Sequence, residues 1–209
     1  MVRSGLVRLL VFFIFFSMYS FLEALLIVVA LSYMVDLFLE RHFGLEIVST
    51  NDLVFLEDEP TAKNNILGVL IMEKISFAEL KELLLQRVIL FHKRMRQVHV
   101  NHLGIDFWRE VPLSVAERCI IRVTEYTGKS EEDMQQYVNA LFNKEIDRSL
   151  PLFEMHVIEN CTPKGETALV CLAHHGAIDG LGGTSAIISC ADNYSRNLFP
   201  KFAQIPCCY

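Results

Sequence analysis

Leu6 to Leu39 is the stretch that most restricts what this chain can be: 34 residues whose only charges are Arg8, Glu23 and Asp36. The runs between those charges, LLVFFIFFSMYSFL and ALLIVVALSYMV, are close to pure hydrocarbon. A bilayer core asks for about 20 apolar residues as a helix, whereas a signal-peptide core holds about 7–15 and ends at a small-residue cleavage site. A helix buried in a soluble core would show a polar stripe at helical spacing, and none is visible. Residues 1–42 are therefore expected to be a membrane anchor, as one tilted span or as a tight hairpin bending near Glu23. Counted by Lys and Arg, a single span keeps the N-terminus cytoplasmic and carries the rest across. A hairpin returns it to the cytoplasm.

The remaining chain is long enough for one domain with a real core. Its patterning alternates strands and helices. Thr50-Asn51-Asp52 resembles a helix cap before Leu53, and Ile66–Met72 (ILGVLIM) is a short buried strand. Ser76-Phe77-Ala78-Glu79 has the form of a capping box and opens an amphipathic helix through Phe91, which ends in the cations Lys93, Arg94 and Arg96. Gln97–Arg118 reads as irregular, Cys119–Thr124 as a strand, and Ser130 as the cap of a helix to about Phe142. LFEMHVIE (Leu152–Glu159) and TALVCLA (Thr167–Ala173) are strands joined by a turn-rich segment. A small-residue helix is expected from Gly183 to about Arg196. The fold class is thus a mixed-sheet α/β or α+β layer.

A net charge of −6 argues against a nucleic-acid partner, since no dominant basic surface is available for phosphates. The six cysteines lack C-x-x-C spacing and read as reduced core or surface thiols. Chemistry concentrates in LAHHGAIDG (Leu172–Gly180). A neutral imidazole at a strand end titrates near neutrality and can take a proton from a bound hydroxyl. His175 is the candidate base, with His174 beside it. Asp179 would either orient the imidazole or fix the loop by pairing with a distant Arg. Gly176 and Gly180 allow close approach of a substrate. Two rival readings stand beside this one. Both histidines can simply cap a core strand. A metal held by His174, His175 and Asp179 is disfavoured, because adjacent strand residues point to opposite faces. Phe91-His92-Lys93-Arg94-Met95-Arg96, followed by His99 and His102, could meet anionic headgroups or phosphates, although a solvated helix end is the plainer reading.

HHGAIDG (His174–Gly180) fits the HHxxxDG pattern of the CoA-dependent acyltransferase superfamily, and a second segment narrows the match. DRSLPLFEMHVIE (Asp147–Glu159) resembles the D-R-S-x-P-L-W-E-M-x-V-I-E text of the wax ester synthase/diacylglycerol acyltransferase family, with Phe153 in place of the usual Trp. Asn51-Asp52-Leu53-Val54-Phe55-Leu56 and Gly68 resemble its opening. The resemblance runs from about Ser49 to Arg196. It implies a chloramphenicol-acetyltransferase-like lobe over residues 43–198 and a membrane-bound O-acyltransferase that moves a fatty acyl group from acyl-CoA to a long-chain alcohol or diacylglycerol. His175 would be the general base, Asp179 the structural anchor of the loop through an ion pair, His174 a positioning residue, and Gly176 and Gly180 loop necessities. No metal or bound cofactor is implied; acyl-CoA is a co-substrate. Since acyl-CoA is cytosolic, the lobe is expected on the cytosolic face of a membrane such as the endoplasmic reticulum, which favours a hairpin or monotopic anchor.

Family members carry two lobes with the site between them, and 29 residues follow Gly180 here. Residues 199–209 are expected to be an irregular tail and the second lobe to be missing. This leaves three possibilities open: a silent truncated product, a fragment, or a lobe completed by a second chain. The alternative to the enzyme is accordingly a catalytically silent, membrane-anchored interaction or regulatory protein.

Overall fold

The computed structural model describes residues 2–58, 63–102, 104–178 and 180–191. It divides into two units, one ending at Glu46 and the other beginning at Ile47. The first is essentially one helix, α1 (Val2–Phe43), unbroken over 42 residues. The bend considered at Glu23 is not found. Sharp kinks come from Pro, Gly or an inserted group, and neither Pro nor Gly occurs between Leu6 and Phe43. The hydroxyls of Ser17, Ser20 and Ser32 donate to carbonyls of their own helix at 2.9–3.1 Å. At 1.5 Å per residue the helix is about 63 Å long. Its portion Ser17–Phe43 is long and apolar enough to cross a membrane. A short strand, β1 (Leu45–Ile47), spans the junction between the units.

In the second unit, α2 (Thr50–Leu56) is capped by Ser49, whose hydroxyl accepts from the N–H of Asp52. The cap therefore lies one residue before the expected stretch. The main sheet has the order β2-β7-β6-β5, from β2 (Asn65–Met72), β5 (Ile120–Arg122), β6 (Phe153–Ile158) and β7 (Thr167–His174). β7 runs antiparallel to both neighbours, while β5 and β6 are parallel. This is the mixed sheet expected from the sequence.

One face of the sheet carries Phe153, Met155, Val157 and Leu169, and is covered by Leu80, Leu84, Val88 and Ile89. Those residues come from α3 (Phe77–Leu84), opened by the Ser76/Glu79 capping box, and from a wider π-turn over Leu85–Ile89. The helix thus leaves regular geometry before Phe91, and the wide turn lets the successive residues Val88 and Ile89 both be buried. The other face packs Ile158, Ala168 and Val170 against Leu141 of α5 (Glu131–Phe142), capped by Ser130 as expected. On that face Glu154 and His156, two apart on β6, share a hydrogen bond of 2.7 Å, extended to Lys144 and Tyr137.

Gln97–Arg118 is not irregular. It forms the hairpin β3 (Gln97–His102) and β4 (Ile105–Glu110), followed by α4 (Leu113–Ala116). Gly104 turns the hairpin at φ +82°, a region that a side chain disfavours. Trp108 is fully buried and packs with Leu56, Leu152 and Leu172. Nor is the segment before it a solvated helix end. The Arg94 guanidinium lies 4.3 Å from the Trp108 ring centroid, and Arg96 donates to the carbonyls of Ile89 and Leu90 at 2.8 Å each. Long cationic stems cover apolar surface and close helix ends. The last element, α6 (Gly180–Ile188), starts earlier than expected.

Candidate active site

β7 delivers its final residue, His174, to the same face as Leu172, and the chain then turns, with the N–H of Ala177 donating to the His174 carbonyl at 2.9 Å. The two histidines consequently part. His174 is 2% exposed and has both ring nitrogens engaged. Its Nδ1 accepts from the N–H of Gly176 at 3.2 Å, so Nε2 carries the proton and donates to Asp58 Oδ1, also at 3.2 Å. Burial, the largest influence, pushes this imidazole below its ordinary pKa; Asp58 pulls it back, and Arg148 and His175 push it further down. A neutral, doubly bonded ring has no lone pair to offer a substrate.

Asp58 gathers the surrounding charges. It accepts from the N–H of Asn64 at 2.9 Å and faces Arg148 Nη2 at 3.3 Å and Lys63 Nζ at 3.9 Å. Burial raises its carboxyl, but the Asn64 bond, His174 and Lys63 outweigh it and hold the group below the ordinary carboxylate value. Arg148 also donates to the Leu56 carbonyl at 3.0 Å. An aspartate–arginine pair, Asp58 and Arg148, thus lies beside the doublet. Asp179 itself lies outside the described residues. Asp58 was not legible: it stands in the acidic run Glu57-Asp58-Glu59 with nothing to single it out.

His175 is half-buried, and its N–H donates to the Asn64 carbonyl at 2.6 Å. Its ring stacks on Phe55 of α2, with centroids 4.0 Å apart and planes 22° apart. Nδ1 is buried and finds no partner among the described residues. Gly176 permits this arrangement. A Cβ there would stand 2.8 Å from Cγ and Cδ2 of Leu56 and 3.0 Å from the Leu56 backbone nitrogen, so only glycine lets the end of α2 come close enough to place Phe55 under His175. Gly180 is the first residue of α6.

Beneath the loop, between the sheet and the helices α3 and α6, lies an apolar cavity of about 260 Å³. Gly68, Cys171, Ile178, Gly183, Ala186 and Cys190 are among its walls. Burial, then the neighbouring Cys190, pushes the Cys171 thiol up to about 12. Among the described residues no group of three or more His, Cys, Asp or Glu could hold a metal ion.

Comparison with known proteins gives this geometry a family. Wax ester synthase/diacylglycerol acyltransferase 1 of Arabidopsis thaliana is 27% identical over 101 residues, 47% of this chain and 21% of that protein. Among solved structures, the wax ester synthase/diacylglycerol acyltransferase of Marinobacter aquaeolei VT8 superposes with a TM-score of 0.53 at 21% identity, over 66% of this chain and 35% of that one. The starter condensation domain of rhizomide synthetase, solved with C8-CoA, gives 0.55 at 15% identity, over 76% and 37%. The chain therefore spans about a third of its solved relatives, and the likeness to them is one of fold. Residues 48–203, from the strand-to-helix entry before α2 through the histidine loop and α6, match the wax ester synthase/diacylglycerol acyltransferase catalytic domain, and the chain belongs to that family.

Proposed function

We propose that the chain takes part in O-acyl transfer from acyl-CoA to a long-chain alcohol or diacylglycerol, with His175 as general base. The observation that carries this is the asymmetry of the doublet: His174 has both nitrogens bound within the protein, while His175 is held by its backbone and by Phe55. With Nδ1 buried, Nε2 would accept the proton of the acceptor hydroxyl. The alkoxide oxygen then attacks the thioester carbon, the carbon–sulfur bond breaks, and the CoA thiolate leaves and recovers the proton from the imidazolium. The apolar cavity beside Ile178 supports the reading as a place for the acyl chain.

In this reading α1 is a monotopic anchor that holds the lobe at a membrane, which suits water-insoluble acceptors, and the lobe faces the cytosol, where acyl-CoA is found. Microsomes expressing the chain, supplied with labelled acyl-CoA and a fatty alcohol or diacylglycerol, test the reaction beside His175→Ala. Ester formed by the wild type and lost in the variant supports it; no ester, or equal ester, sinks it. The competing reading is a silent anchored lobe that serves as an interaction partner. A wild type without activity in that assay is its expected outcome.

A further inference from the structure

We infer that Asn64 is the positioning residue of the histidine loop, joining the base, the ring it rests on and the carboxylate of its neighbour. The inference rests on the reading of His175 as the base. Asn64 lies immediately before β2, where Asn65 stands opposite His174. Four of its hydrogen-bonding groups are used, and each goes to a different part of the site. Its carbonyl accepts the N–H of His175 at 2.6 Å. Its own N–H donates to Asp58 Oδ1 at 2.9 Å, the same oxygen that receives His174 Nε2–H. Its side-chain amide donates to the carbonyls of Phe55 at 3.1 Å and Glu57 at 2.8 Å.

The amide bonds answer a need of the helix. The last carbonyls of an α-helix lack intrahelical partners. At the end of α2 the chain leaves in an extended conformation, with Glu57 at φ −83° and ψ 111°, so no glycine-type closure supplies donors. Asn64 supplies two. One of the carbonyls it holds belongs to Phe55, whose ring lies 4.0 Å from that of His175. The backbone of the platform and the backbone of the base therefore hang on one residue, and their rings are fixed relative to each other by the play of two or three hydrogen bonds. Asparagine suits the post because its side chain brings two donors on a short stem; aspartate brings none, and serine one. A mere helix cap would hold α2 without concerning the His175 ring, and that difference is measurable.

The test uses the full chain in detergent micelles with labelled histidine rings, His175 being assigned by its absence in His175→Gln. Stacking on Phe55 displaces the His175 ring-proton resonances from those of a free imidazole, and Phe55→Leu gives the unstacked reference. Asn64→Ala, which removes only the amide, is expected to move the His175 signals at least halfway to that reference while His99 and His156 stay in place. His175 signals that remain at their wild-type positions in the folded variant would overturn the inference. Should Asn64→Ala unfold, Asn64→Ser keeps one donor: a partial displacement supports the role and none overturns it. In the acyl-transfer assay kcat should fall about 10–100-fold with KM within about twofold, since a misplacement near 1 Å costs roughly that much. If Asn64→Ala keeps its kcat while His175→Ala loses it, Asn64 has no positioning role. If His175→Ala keeps its activity, the base reading falls, and the ring-placement measurement still decides for or against Asn64.

Discussion

Gly176→Ala is the smallest change that should separate α2 from the histidine loop. The added methyl would lie 2.8 Å from Cγ and Cδ2 of Leu56 and 3.0 Å from its backbone nitrogen. Leu56 cannot swing clear, because it is 5% exposed and wedged among Trp108, Leu152 and Leu172. Overpacking a filled core costs about 1–3 kcal/mol, and a contact that includes backbone belongs in the upper half of that range. For a chain of this size about 2–3 kcal/mol lowers the melting midpoint by roughly 4–12 °C. Trp108 is the chain's only tryptophan and sits in the affected cluster, so its fluorescence reports this unit without interference from α1. Leu56→Ala alone should cost about 2–5 kcal/mol. Combined with Gly176→Ala it removes the two side-chain contacts and leaves the one to backbone, so the double variant should be less damaged than the sum by about 1–2 kcal/mol. Losses that add to within about 0.5 kcal/mol would refute the claim that glycine is required there by Leu56.

Acidification should weaken the second unit in two windows. Buried His174 and half-buried His92 are both pushed below the ordinary imidazole pKa by loss of solvent, so the unfolded chain binds protons first and stability falls as pH drops below about 6.5. Asp58 is held below the ordinary carboxylate value, so its contribution is present above about pH 4 and is lost as pH falls further; Asp58→Asn should flatten that lower limb. A Trp108 melting midpoint that rises from pH 7 to pH 5 would contradict the histidine sign, and one that rises as pH falls below about 4 would contradict the sign for Asp58. Cys171, with its thiol pushed up to about 12 by burial, should react with an alkylating agent at pH 8 only as the chain unfolds. Peptide mapping that finds it modified equally fast in buffer and in urea would mean that the cavity is open to solvent. Asn160-Cys161-Thr162 is a glycosylation triplet whose asparagine is exposed in the turn after β6. With the lobe in the cytosol it should stay unmodified in microsomes, and an endoglycosidase-sensitive mass shift lost in Asn160→Gln would place the lobe in the lumen.

Periodic and strongly capped elements were legible in the sequence, and so was the sheet's core. Ser76 and Ser130 announce α3 and α5 through side chains that bond the first turn, a local signal that needs no tertiary contact. The runs that became β6 and β7 are apolar because both faces of the sheet are covered there, whereas β2, read from the sequence as a buried strand, lies at the sheet edge with Val69 and Ile71 exposed. The β3–β4 hairpin was hidden for the opposite reason. QVHVNH and IDFWRE mix polar and apolar residues, and five of the twelve strand residues are exposed. Of the site, the histidines and Gly176 could be named in advance because they are adjacent. Asp58, Asn64 and Phe55 could not be assigned roles. Their partners across the site, Arg148, His174 and His175, lie 90–120 positions away in the chain, and a contact across that separation leaves no mark on local spacing.

The doublet itself makes physical sense only when its two members are treated differently. Two imidazoles at a strand end that both faced a substrate would compete for one proton and repel each other once charged. Alternation on β7 turns His174 inward, where burial alone would leave its polar atoms costly. The Gly176 N–H and Asp58 satisfy both nitrogens, and Arg148 and Lys63 balance the carboxylate in turn. This arrangement locks His174 in one neutral tautomer and makes it a rigid post for the turn that follows. His175 receives no such side-chain partner among the described residues; it is fixed through its backbone and through contact with an apolar ring. A base must gain and lose a proton without its neighbours moving, and support from the apolar Phe55 ring, unlike support from a carboxylate, need not rearrange its hydrogen bonds when the imidazole changes charge. Phe55→Leu should therefore alter the placement of His175 more than its affinity for protons, whereas Phe55→Glu should raise that affinity. A titration of the His175 ring in the two variants separates positioning from electrostatics, and equal shifts in both would refute the division of roles.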